Sequence, residues 1–480
     1  MTSPNRRRPV ARLLPSWRRE ALRTTLWLVP GLLVVAAILL FVVTWELDRA
    51  VYRGDFPLPR FADTGSAAEA RELLGTIAAA VTTVVGVVFS VTIVALTLAS
   101  QQFGPRILRT FMRDLGTQVT LGAFVATAVY SVLALGSVTD GGGHGAFIPH
   151  ISVTVALALL AVDLLVLIYF IHHISVSIQL PRVIASISRD LGRAIDVQFP
   201  PVRGGTGLGA AIEVGPLASP PPVTGPDLSE LTLRLEHLGV VVPATTSGYL
   251  QFVRHEDLVA IAASKDTVIQ LLYRAGHFIT AGLPLARVWP ADDDVARALH
   301  RAHVAGPHRT LTQDPVFPID QLTEIAIRAL SPAVNDTFTA LTCIDWLADG
   351  LCKVSARDLP DGVHRDAAGA IRLIELPPDY ARIVNRASDK IRQASRDMPA
   401  VAIRQMDGLT KVVAYTHTEE QRHVLRLQAD QIRRAAIEAV PDVDDRNDVL
   451  RRHQVFVDAA ARASRAEPGQ HPADILARGA

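Results

Sequence analysis

Lysine is nearly missing from this chain: Lys265, Lys353, Lys390 and Lys411 are the four among 480 residues, and none follows a glycine. A phosphate-cradling Gly-Lys loop is thereby excluded. Cysteine is scarcer still. Cys343 and Cys352 lie nine residues apart in one helical pattern, forming neither a CxxC pair nor a disulfide framework, which fits a reducing compartment. There is no HExxH and no GxSxG, so neither a zinc-protease helix nor a nucleophile elbow is written here. Net charge is only +1, too little for the basic field that nucleic acid demands. We expect no catalytic residues, no metal, no cofactor and no nucleic-acid partner, and do not read the chain as an enzyme.

Hydrophobic residues, at 49%, are what the chain has in excess, and they crowd its first 180 residues. The whole is organised around residues 73–100, LLGTIAAAVTTVVGVVFSVTIVALTLAS, which are 28 positions without a charge. About 20 such residues cross the ~30 Å hydrocarbon core of a bilayer. Thr76, Thr83, Ser90 and Thr97 recur every seven residues, with Ala79 and Gly86 on much the same side. Such a stripe lines a water-filled pore or packs against another helix, with Gly86 and Ser90 as a small-xxx-small contact. Further apolar runs at 26–45, 116–138 and 148–180 make four spans within a membrane segment covering 24–198.

The charges around these runs set an orientation. Residues 1–23 hold seven arginines against Glu20, the 101–115 loop holds Arg106, Arg109 and Arg113, and Arg182, Arg189 and Arg193 follow the last run. The 139–147 loop has neither Lys nor Arg, and the 46–72 loop has four arginines against six acids. The positive-inside rule places both termini in the cytoplasm of a multi-pass protein in a bacterial inner membrane.

Residues 199–226 are rich in Pro, Gly and Ala and read as a linker. Short β-branched and aromatic runs punctuated by glycine then predict a small β domain over 227–290, with a helical piece at 255–264. From residue 291 to 465 the 3.6 period returns, with helices expected at 293–304, 320–330, 336–354, 379–397, 399–415, 418–439 and 443–463. A tail over 466–480 closes the chain.

Several residues are candidates for function. Asp163 lies mid-span in ALLAVDLLVLIYF, where a carboxylate costs at least ~2.5 kcal/mol. It is either a protonated residue bonded to a Thr or Ser of the striped helix or a station for ions or protons. His172 and His173 sit at the end of the same span as interface anchors. Asp140, His144 and His150 form a weak metal pattern, and 442–448 imitates a calcium loop but carries Arg446 and lacks its glycine and glutamate. Over 331–339, Pro332 ends one helix and Asn335 or Asp336 caps the next, while Asp320 caps the helix before. Alternatively Arg309, Asp314, Asn335 and Asp336 converge on a small polar ligand.

Two segments, VVFSVTIVALTLASQQFGPRILRTFMRD after the second span and RTLTQDPVFPIDQLTEIAIRALSPAVNDTFTALTCIDWL at 309–347, carry a family resemblance. The chain resembles, over nearly its full length, a bacterial family of predicted inner-membrane proteins known as domain-of-unknown-function family 2254. It departs from that pattern at Thr337, where the family usually has proline. The resemblance implies the layout and assigns no activity. Within the β region, TSGYLQFV and VIQLLYRAGHFITAGLPLARVW also resemble the half-motif of biotinyl- or lipoyl-type barrels, which implies a barrel-like fold. The nearest lysine, Lys265, is not in a carrier hairpin.

The expected architecture is therefore an α-helical membrane block of four transmembrane helices followed by a cytoplasmic α+β region, barrel-like first and mainly helical after. The expected role is a homo-oligomeric channel or transporter-like protein in the lipid bilayer, regulated by its cytoplasmic part. The rival is a membrane-anchored sensor or scaffold that transports nothing.

Overall fold

The computed structural model describes residues 27–53, 66–103, 114–139, 147–177, 179–201, 225–466 and 471–477. The chain divides into two compact units, Met1–Arg182 and Val183–Ala480. The basic terminus 1–23, residues 104–113 of the 101–115 loop and residues 202–224 of the 199–226 segment lie outside the described residues.

In the first unit, α1 (Leu28–Tyr52), α2 (Ala67–Phe103), α3 (Leu115–Ser137) and α4 (His150–Ser177) are the four apolar helices. Each contains a stretch long and apolar enough to cross a membrane. α3 packs against all three others and carries the most buried face. Asp114 starts it by accepting from the Thr117 backbone N–H at 3.1 Å. Leu74, Ile77, Val81 and Val88 of α2 enter a shared core with Phe124 and Tyr130 of α3 and Val153, Ala156 and Phe170 of α4. Their spacing of three, four and seven makes one helical stripe.

The division falls within α5 (Leu180–Gln198), whose Val183, Ile184, Ile187, Leu191 and Ile195 form a buried apolar stripe in the second unit. Arg357 ties its end down, donating to the Phe199 carbonyl at 2.8 Å and pairing with Asp196 at 2.5 Å. After α6 (Leu228–Leu238) come β1 (Val240–Pro243), β2 (Gly248–Val253), α7 (His255–Ser264), β3 (Val268–Leu271), β4 (Phe278–Ile279), β5 (Pro284–Trp289), α8 (Asp293–Ala302) and β6 (His303–Gly306). Then follow α9 (Val316–Ala329), α10 (Thr337–Ser355), β7 (Val363–Arg365), β8 (Ile371–Ile374) and α11 (Tyr380–Ala394). α12 (Pro399–Val413), α13 (Glu419–Ala439), α14 (Val443–Arg465) and α15 (Pro472–Ala477) complete the order.

The barrel expected for the β region does not form. One sheet runs β1-β5-β3-β8-β7 and the other β4-β2-β6, and neither closes on itself. The cause lies in β2, which pairs with β4 and β6 and so leaves β1 as a free edge. β3 takes a parallel partner, β8, from far along the chain. Two strands thus arise between Pro360 and Pro377, where the sequence reads only as a break between helices.

Helical boundaries elsewhere follow the sequence closely. The Pro at the start of α12 and the Thr418–Gln421 capping box of α13 fix them chemically. Cys343 is buried and Cys352 half-buried, and burial pushes each thiol up to about 12, away from the reactive thiolate form.

Candidate functional site

The hydroxyl stripe and the intramembrane carboxylate face opposite ways. Thr76, Thr83, Gly86, Ser90 and Thr97 are all exposed on the outer surface of the four-helix bundle. Each hydroxyl donates to the carbonyl four residues back, at 2.7 Å for Thr76, 2.9 Å for Thr83 and Thr97, and 2.8 Å for Ser90. A Cβ added at Gly86 would meet nothing within 4 Å. Asp163, midway along α4, is instead turned inward and 2% exposed.

Its partner is Thr127 of α3, not a residue of the striped helix as the sequence suggests. The other carboxylate oxygen, Oδ2, is buried without a hydrogen bond, and so is the Ser131 hydroxyl one turn along α3. Toward the N-terminus of α4 the polar interior continues. Thr44 Oγ1 and Tyr130 OH lie 2.8 Å apart, Tyr130 OH donates to the Ser152 carbonyl at 3.3 Å, and Ser152 Oγ donates to Asp48 at 2.6 Å. Asp48 also accepts from the Ile151 N–H at 2.7 Å. Asp48 is 3% exposed, although its sequence context reads as a loop. Beyond Asp163 the other way, Phe124 and Phe170 are each 2% exposed and close the interior with carbon. At that end of the helix His173 Nε2 meets Asp114 at 2.7 Å and stacks on Tyr169, a pairing rather than a free anchor, while His172 is exposed. Asp140 and His144 lie outside the described residues, so the metal pattern with His150 has no described geometry.

The second unit gathers charge where β3, β4, α9 and α11 meet. Asp314, 3% exposed, accepts from Arg309 Nε at 2.7 Å and from its Nη2 at 2.6 Å. Arg309 and Arg386 both pair with Asp320. Asp320 is therefore a bridging carboxylate and not the expected helix cap, because α9 already begins at Val316. Burial opposes the Arg309 charge, but the carboxylates of Asp314 and Asp320 outweigh it and raise its pKa. Gly276, at φ +90°, lets the β3–β4 turn close over Asp314; an added Cβ would fall 2.1 Å from Oδ2. Arg274 and His277 of that turn complete the group. Burial, then the charges of Arg274, Arg382, Arg309 and Arg386, pull His277 down to about 4. Its Nε2 is buried without a partner. Four arginines against Asp314, Asp320 and Asp379 leave a positive surplus that suits a small anion.

Asn335 and Asp336 do not join this group. They follow the far end of α9, whose 14 residues span ~21 Å. Their role is local. Asn335 adopts φ +51°, and Asp336 caps α10 by accepting from the Thr339 N–H at 3.1 Å and its hydroxyl at 2.5 Å.

A third cluster was invisible in the sequence. His364 Nε2 lies 3.0 Å and His255 Nε2 3.2 Å from the two oxygens of Glu375. Burial would raise the Glu375 carboxyl, but the two imidazoles hold it down at about 2.

Comparison with known proteins fits the bundle first described. The family described as "Predicted membrane protein (DUF2254)" matches residues 23–411. Uncharacterised proteins of Mycobacterium bovis and Mycobacterium tuberculosis are 35% identical over 410 residues, covering 83% of this chain and 73% of theirs. No solved structure matches.

Proposed function

The chain belongs to the DUF2254 family of predicted membrane proteins, and from that premise we propose that it is a non-enzymatic channel or transporter-like protein. It works as a homo-oligomer in a bacterial inner membrane, passing protons or small cations under control of its second unit. The observation that carries this reading is the half-satisfied carboxylate of Asp163, buried at mid-span beside Thr127. A carboxylate kept at that depth is costly unless it exchanges a proton or holds a cation. A separate hydrogen-bonded group of Thr44, Tyr130, Ser152 and Asp48 lies in the same bundle toward the N-terminus of α4 and supplies further polar sites for a proton. The arginine distribution supports a cytoplasmic second unit, with the Asp48 end outside. The outward stripe on α2 is then the face that other copies cover. The surplus of arginine around His277 supports control by a small anionic ligand.

The rival reading, an anchor for sensing alone, draws on the tight closure by Phe124 and Phe170. Reconstituted full-length protein separates them. In vesicles containing a pH-sensitive dye, an imposed potential should drive acidification that Asp163→Asn abolishes and Thr76→Val leaves in place. Vesicles that stay at their starting pH with the parent protein, under every potential applied, would leave the anchor reading standing.

A further inference from the structure

We propose that His255, His364 and Glu375 form a binding site for a divalent metal ion of the zinc type. His255 is the first residue of α7, His364 lies in β7, and Glu375 follows β8 directly. Their ligand atoms all lie within 4.8 Å of one another. In a tetrahedral zinc site with bonds of ~2.0–2.1 Å, neighbouring ligand atoms stand ~3.3 Å apart. The two nitrogen–oxygen separations, 3.0 and 3.2 Å, run to the two different oxygens of Glu375 and are close to that spacing.

Hydrogen bonding accounts for the His364–Glu375 contact at 3.0 Å, whereas the buried His255 Nε2, 3.2 Å from the other oxygen, has no hydrogen-bond partner of good geometry. The two rings stack with centroids 4.6 Å apart and planes within 19°, so one imidazole must turn about its side-chain bonds for both Nε2 lone pairs to meet one ion. Two imidazoles and a carboxylate favour zinc and its transition-metal neighbours over calcium or magnesium, which take oxygen ligands. The side chains are 24%, 32% and 21% exposed for His255, His364 and Glu375, so water reaches the fourth position.

The backbone sets His364 and Glu375 side by side before any ion arrives. Glu375 N–H donates to the Gly362 carbonyl at 2.8 Å, and β7 pairs with β8 from Val363 to Arg365. Gly362 sits at φ +75°, and a Cβ there would come 2.3 Å from the Glu375 carbonyl oxygen. A metal would fasten the β7–β8 hairpin to α7, joining residues more than a hundred positions apart.

The test uses the full-length protein in detergent, stripped with a chelator and then titrated with zinc and with cobalt. The expected result is uptake of one equivalent per chain, with the intense visible absorption of tetrahedral cobalt. Glu375→Gln keeps the shape of the side chain, and His364→Ala shortens one arm; both should lose the equivalent and the cobalt spectrum. His237→Ala, on a different helix, should keep both. Unchanged melting in the absence of metal checks that the variants fold. Uptake that survives in Glu375→Gln and His364→Ala alike, or no stoichiometric uptake by the parent, overturns the site.

Discussion

The carboxylate of Asp48 accepts from the backbone N–H of Ser152 at 3.0 Å and from its hydroxyl at 2.6 Å, across 104 positions of chain. A helix N-terminus presents N–H groups with no partner inside the helix and attracts negative charge. Here the first helix supplies the cap of the fourth. Asp48→Ala leaves those donors dry and should cost about 1–3 kcal/mol of stability. Thermal unfolding of the solubilised chain reads the loss, and Asp48→Asn, which retains an acceptor, should lose less. A parent-like melting temperature for the alanine variant would contradict the cap.

The exposed face of α2 makes a different demand. A Cβ at Gly86 meets nothing within 4 Å and Ser90 is exposed, so leucine at either should leave the bundle folded. If copies associate through this face, the added bulk pries them apart. Mass measured in detergent should fall from oligomer to protomer for Gly86→Leu and Ser90→Leu, with helix content unchanged. An oligomer of unaltered mass would move the contact to another face.

His277 gives the second unit a sensitivity to acid. Its folded pKa of about 4 lies below the ordinary histidine value of 6.5, so the unfolded chain binds the proton first. Its contribution to stability is whole above pH 6.5 and is lost as pH falls through 4. His277→Gln removes the group, and the melting temperature of that variant should drop less than the parent's between pH 7 and pH 4.5. Parallel curves for the two proteins would show that His277 titrates normally.

Between α9 and α10 the chain depends on two adjacent residues for different reasons. Asp336→Ala removes the cap of α10 and should cost ~0.5–2 kcal/mol. Asn335 holds a left-handed conformation, so Asn335→Val should cost ~1–2 kcal/mol while Asn335→Gly is tolerated. Denaturant titration of the full chain distinguishes these outcomes; equal stability of the Gly and Val variants would rule out the backbone argument.

Composition and period carried the four apolar helices, the helical region and Asp163, because a lone charge in an apolar run needs no third dimension to stand out. The direction of the stripe was not legible. Leu74, Ile77, Val81 and Val88 repeat at the same helical spacing as the threonines, and lipid tolerates either face. Asp48 escaped notice because Glu46, Arg49 and Arg53 surround it, and it is buried only where α4 arrives. Arg309 and Asp314 are five residues apart and could be paired by eye, whereas Arg274 and Arg386 reach the same place through the fold. The grouping with Asn335 and Asp336 failed because a whole helix intervenes. For His255, His364 and Glu375 no local pattern exists to be read.

The parallel pairing of Ile269 with Leu373 has a consequence for how the protein is made. As the chain leaves the ribosome, β3 can zip onto β5 almost at once, but its other edge waits for about a hundred further residues to be synthesised. During that interval a strand reading VIQL offers bare backbone donors and acceptors to whatever lies nearby. Loop closure over such a distance is slow compared with helix formation. A fragment ended after Trp289 would never escape the interval, and should be recovered as aggregate even though every residue of its own β segment is present.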